Sequence, residues 1–166
     1  MKLKTLLPPN SATQKTSATR QGGQKMVNPI LTVTRWKGNC YAVGITVTLE
    51  NMSGFSAGLV LIRPYRENEL CHGIDPNLWL RLQRIFDPIL SRMEKVAILN
   101  LTIADATEPI TLDEGTGGAL ATTIQLATKH IPATSDICIL AQISEDQSFS
   151  PLEHNDCEQR TKVFSS

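Results

Sequence analysis

The sequence predicts an α+β fold: a single domain in which a mostly antiparallel sheet of about five strands is packed by two helices. Three observations predict it. Apolar residues alternate with polar ones in several short stretches, and they recur at three- and four-residue spacing in two longer ones. The two ends, by contrast, are polar and of opposite charge. The expected organisation is a disordered basic arm over residues 1–28, a globular domain over 29–145 and a flexible acidic tail over 146–166. Of the 166 residues, about 120 are left for the fold, enough for one core. Aromatics make up only 5%, so that core must rest on Leu, Ile and Val.

The arm is rich in Ser, Thr, Gln, Gly and Pro, too polar to bury enough surface to offset the entropy of ordering. The fold begins near Pro29. Leu31 and Val33 alternate with Thr32 and Thr34 in a strand reaching Trp36, and Lys37-Gly38-Asn39 supplies hairpin turn chemistry. Tyr41, Val43, Ile45, Val47 and Leu49 then alternate with Ala42, Gly44, Thr46 and Thr48, the pattern of a sheet with one covered face. A glycine-bearing loop follows, then a short buried strand Leu59–Ile62 with Arg63-Pro64-Tyr65-Arg66 at its exit. That arginine pair flanking a tyrosine reads as an ordinary strand end, or as a grip for phosphate or a stacking surface for a base. His72 is expected in a solvated loop.

Two Asp-Pro pairs, Asp75-Pro76 and Asp87-Pro88, read as helix starts, because Pro suits the first helical position and Asp can accept from first-turn amides. Leu78, Trp79, Leu82, Ile85, Phe86, Ile89 and Met93 lie on one side of the helical cylinder. Pro88 predicts either a kink or two short helices in series. Arg81, Arg84, Arg92 and Lys95 form a basic stripe, to be read as a solvated face or as a contact for phosphate or anionic lipid. Val96–Ile103 is the next strand. Asp113-Glu114-Gly115-Thr116-Gly117-Gly118 precedes a helix over Ala119–His130, with Leu120, Ile124, Ala127 and Ile131 inward and Pro132 ending it. The loop lacks the lysine and serine of a P-loop, and its own carboxylates oppose an anion. Ile137–Ile143 reads as a last strand and Phe149 onward as tail.

Sixteen basic and sixteen acidic residues leave no net charge, but they are unevenly placed. Lys2, Lys4, Lys15, Arg20 and Lys25 give the first 26 residues five positive charges and no negative one, a handle for anionic partners or a solubilising end. No apolar run reaches the roughly 20 residues needed to cross a bilayer, and the leading residues are too short of apolar character for a signal peptide. A cytoplasmic setting is expected, with Cys40, Cys71, Cys138 and Cys157 as reduced thiols. Cys40 and Cys138 fall in strands as small hydrophobes. Cys71-His72 could combine with His154 and Cys157 as zinc ligands, since Cys and His suit that metal. No nucleophile elbow, paired carboxylates or cofactor motif points to an enzyme, and no cofactor, metal or small-molecule substrate is expected.

The stretch Gly58–Thr107 carries a family resemblance. A strand ends at Arg63-Pro64-Tyr65-Arg66, and the strand Ala97–Ile103 runs into Ala104-Asp105-Ala106-Thr107-Glu108. With a basic arm ahead of it, this order resembles that of rhabdovirus matrix proteins, the short ones of plant cytorhabdoviruses in particular. The resemblance implies a virion structural protein that self-associates, binds the viral nucleoprotein or nucleocapsid and lies peripherally on an anionic membrane. Lys2, Lys4, Lys15, Arg20 and Lys25 would make those contacts, and a strand edge or loop would serve self-association. The competing expectation is a small cytosolic protein-binding adaptor that recognises its partner through the sheet edge or the Arg81–Lys95 stripe.

Overall fold

A computed structural model describes residues 28–51, 56–61, 70–133 and 136–165. The strands are β1 (Ile30–Trp36), β2 (Asn39–Asn51), β3 (Gly58–Leu61), β4 (Gly73–Ile74), β5 (Lys95–Ile103), β6 (Thr111–Leu112), β7 (Ile137–Cys138), β8 (Ala141–Ile143) and β9 (Phe149–Pro151). The helices are α1 (Pro76–Met93), α2 (Gly117–Thr128) and α3 (His154–Thr161). Five strands form the main sheet in the order β3-β5-β2-β1-β7, while β4 with β6 and β8 with β9 make two small pairs. The long central pairings, β1 with β2 and β2 with β5, are antiparallel, and both edge strands run parallel to their neighbours. This is the single α+β domain that the sequence predicts.

The hairpin forms where turn chemistry allows it. Lys37 and Gly38 both take positive φ, 49° and 81°, and Trp36 pairs with Asn39, which is the two-residue turn whose twist suits adjacent strands. Ile30, Val43, Ile45, Ala97 and Leu99 face α1 and α2 and join their buried leucines in one core. Leu31, Val33 and Ala42 are buried as well, although alternation sends them to the opposite face. That face is partly covered by α3 and the 3₁₀ turn Lys162–Phe164, which pack on β1 and β2. The expectation of one covered face is therefore corrected for β1 and the start of β2.

Helix α1 begins as expected: Asp75 accepts from the amides of Asn77 and Leu78 at 3.1 and 3.2 Å, with Pro76 in the first turn. Asp87-Pro88 is not a second start. One helix runs through Pro88, because Ile85, Phe86 and Leu90 on both sides of it are buried in the same core. Asp87 turns outward from the helix axis to accept from the Leu59 amide of β3 at 3.1 Å. Helix α2 closes with His130 in the left-handed region (φ 55°), its amide on Ala127 O and that of Ile131 on Leu126 O, the hydrogen-bond pattern that commonly ends helices.

Two further expectations change. Ile137–Ile143 is not one strand: Ile139 N–H still reaches Leu31 O at 2.9 Å, after which the chain leaves the sheet and Ala141–Ile143 pairs with β9. Residues 146–166 are not simply a flexible tail, since they include β9 and α3, and Arg160 on α3 is only 3% exposed. The arm and the Arg63-Pro64-Tyr65-Arg66 exit lie outside the described residues.

Candidate functional site

The acidic glycine loop before α2 gathers polar side chains from β1 and α3. Its Asp113 is fixed by Thr34 on β1, whose hydroxyl accepts from the Asp113 amide at 3.0 Å. From the other side Arg160 donates Nη1 and Nη2 to the two Asp113 carboxylate oxygens at 2.9 and 2.5 Å. The same guanidinium donates Nε to Asp156 at 2.9 Å and Nη1 to Val33 O at 2.7 Å. Arg35 reaches Asp156 at 3.0 Å. A Cβ built on Gly115 would lie 2.6 Å from the Arg160 guanidinium. The loop's glycine thus admits an arginine of the same chain.

Electrostatics agree with this geometry. Burial works to lower the Arg160 pKa, but the hydrogen-bonded carboxylates of Asp113 and Asp156 outweigh it and raise it further. For Asp156, burial pushes upward, and the bonds from Arg160 and Arg35 prevail and hold the carboxyl below its ordinary range. A depressed carboxyl contributes stability above its unfolded pKa, about 3.9, and loses it as pH falls through the folded value. Acidification below about pH 4 is therefore expected to weaken the hold on α3. Denaturant midpoints taken at pH 5 and pH 3 should fall more for the native chain than for Asp156→Asn; equal falls would remove Asp156 from the account.

The basic stripe does not stand as a free cationic face. Arg81 is largely covered, bonds Glu114 at 2.6 Å and donates to Ile143 O at 3.1 Å. The bond that Arg81 donates to Glu114 is the main cause of its raised pKa. Arg84 pairs with Glu145 at 3.1 Å. Lys95 bonds Asn51, and Arg92 is exposed. Half of the stripe is thus spent on tying α1 to the segment around Glu114 and Glu145. The arm residues Lys2, Lys4, Lys15, Arg20 and Lys25 lie outside the described residues.

A charged side chain occupies an open backbone group on edge strand β3 and another on the part of β1 that β7 leaves uncovered. On β3, the Leu59 amide is taken by Asp87. On β1, beyond the two residues that pair with β7, the Val33 carbonyl is taken by Arg160. Charged side chains on edge backbone groups oppose pairing with another strand. Sequence reasoning missed Arg160 because it was assigned to the tail. The one available signal was the four-residue spacing of Asp156 and Arg160, a helical ion-pair spacing.

A second feature is apolar. A cavity of about 300 Å³ lies between the end of α2 and the sheet, lined by Ile30, Val47 and Leu49 below and by Leu126, Ala127 and the His130–Ala133 segment above. Asn28, where the described chain begins, also lines it. Ile131, expected inward, is 49% exposed at this place, because the left-handed turn at His130 ends the helical period one residue earlier.

His72 is half-buried, not solvated, and its Nδ1 accepts from the Ile110 amide at 3.3 Å, with burial lowering its pKa. Cys40 is half-buried on β2, whereas Cys138 keeps part of its surface open on the edge strand β7. The atoms packed round the Cys138 sulfur, and then the nearby Cys157, push its thiol up to about 11, the reverse of an activated nucleophile. Among the described residues no group of three or more His, Cys, Asp or Glu is placed to hold a metal ion. No helix among them is long and apolar enough to cross a membrane. No protein-family model matches this chain, and no curated protein matches it.

Proposed function

We propose that this chain is a non-enzymatic structural protein of the matrix type, which self-associates and bridges a nucleocapsid and an anionic membrane surface from the cytoplasmic side and in the virion. The observation that carries the reading is a division of charge. The first 26 residues hold five of the sixteen basic residues and none of the acidic ones, so the remainder carries a net charge of −5. Arg81 pairs with Glu114 and Arg84 with Glu145, whereas the arm's five basic residues have no acidic residue near them in sequence. Each basic residue near an anionic surface contributes about 1 kcal/mol, screened by salt. That suffices for reversible adsorption. The charged side chains on Leu59 N–H and Val33 O oppose strand addition at those two places, and contacts between copies would use other loops and faces.

The test is flotation of the purified chain with anionic and neutral liposomes at low and physiological salt, beside a version lacking residues 1–26. Salt-sensitive flotation on anionic vesicles, lost on truncation, is the expected result. A folded monomer that stays with the soluble fraction under every condition would overturn the reading. The adaptor reading, which the apolar cavity favours, would then take its place.

A further inference from the structure

The apolar cavity at the end of α2 lies where the arm joins the fold. Asn28 lines its rim, and the Asn28 amide donates to Ala133 O at 3.3 Å on the opposite wall. Twenty-seven residues precede Asn28, and they include the three leucines Leu3, Leu6 and Leu7. Those three stand at i, i+3 and i+4, the spacing that puts side chains on one face of a helical turn. We infer that the Leu3–Leu7 segment docks in this cavity of its own chain, with Leu3, Leu6 and Leu7 against Leu49, Leu126 and Ile131.

Three considerations select this occupant. The cavity is at the small end of ligand pockets, which run from roughly 300 to 1,000 Å³, so it suits a few aliphatic side chains and not a folded partner. Among the described residues no acidic or permanently basic side chain lines it, so recognition is apolar. Twenty residues lie between Leu7 and Asn28, and a chain of that length can span up to roughly 66 Å, enough to bring the leucines back to the cavity. A short tether of this kind supplies an effective concentration near the millimolar range, which favours the same chain over a second copy. Docking at both ends would present Lys15, Arg20 and Lys25 as a loop, while Lys2 and Lys4 flank the docked leucines.

The experiment compares the full chain with the variant Leu3→Ser, Leu6→Ser, Leu7→Ser, which keeps every charge. Amide and methyl NMR signals are recorded for both at low and high salt and at two protein concentrations. Signals of Leu49, Leu126, Ile131 and Ala133 are expected to shift on substitution, with the Ile131 amide, bonded to Leu126 O at 2.9 Å, exchanging several-fold faster. Signals on β3 and α3 should stay in place. The shifts should persist at high salt and be independent of concentration, which separates this docking from the electrostatic adsorption tested by flotation. Unchanged cavity signals would overturn the inference, as would shifts that appear only at the higher concentration and so report a second copy's arm.

Discussion

Arg160→Ala lowers the unfolding free energy by about 3 kcal/mol, the low end of the range for removing one partner of a buried ion pair. The guanidinium makes five hydrogen bonds, to Asp113, Asp156 and Val33 O. Its loss leaves two carboxylates and a strand-edge carbonyl to find water. Asp113 and Asp156 are 31% and 23% exposed, so water relieves part of the penalty; a fully enclosed cluster would cost more. Arg160→Lys keeps the charge but lacks the planar fork that binds Asp113 with two nitrogens, and it recovers only part of the loss. Chemical denaturation of the three proteins checks the order. Gly115→Ala supplies a further arm: its methyl meets the guanidinium at 2.6 Å, so it should cost stability in the native chain and little beside Arg160→Ala. Additive effects would show that the two residues do not share one space.

Where the fold was legible in the sequence, the determinants were local. Asp75-Pro76 caps α1 with atoms of its own first turn, and Lys37-Gly38 supplies the two positive φ angles of the hairpin. The alternation from Tyr41 to Leu49 is enough for a strand. Asp87-Pro88 repeats the first dipeptide, yet its role is decided by β3 lying against it, which no local pattern reveals. The C-terminal segment escaped for a different reason. Its docking rests on an arginine fork and two carboxylates, and hydropathy reads all three as solvent-facing. The run Ile137–Ile143 is continuous in sequence but must bend so that Ala141 can approach α2, where a methyl on Gly118 would meet Ala141 Cβ at 2.9 Å. The candidate site was less legible than the fold. The stripe was readable as a row of charges, but its neutralisation by Glu114 and Glu145 comes from residues 33 and 61 positions away.

Leu78→Ala lowers stability by about 3 kcal/mol, within the range of 2–5 kcal/mol for truncating a buried leucine. Leu78 is 0% exposed in the first turn of α1, and its Cδ1 lies 3.0 Å from where a methyl on Gly117 would stand. It therefore fills the space that the glycine leaves between α1 and the start of α2. Leu80, two residues on, is 46% exposed, and Leu80→Ala should change stability by less than about 0.5 kcal/mol. The contrast tests the helical face directly, since both changes have the same effect on helix propensity. Gly117→Ala alone overpacks the contact, typically at a cost of about 1–3 kcal/mol, because its methyl also meets Ile143 Cγ2 at 2.9 Å and Ile143 N at 3.2 Å. In the double variant the new methyl occupies part of the volume that Leu78 vacates, while the contact with the Ile143 backbone remains. The pair should thus be less destabilised than the sum of the single changes, yet short of the native value. Equal losses for Leu78→Ala and Leu80→Ala in denaturant titrations would mean that α1 does not present this face to α2.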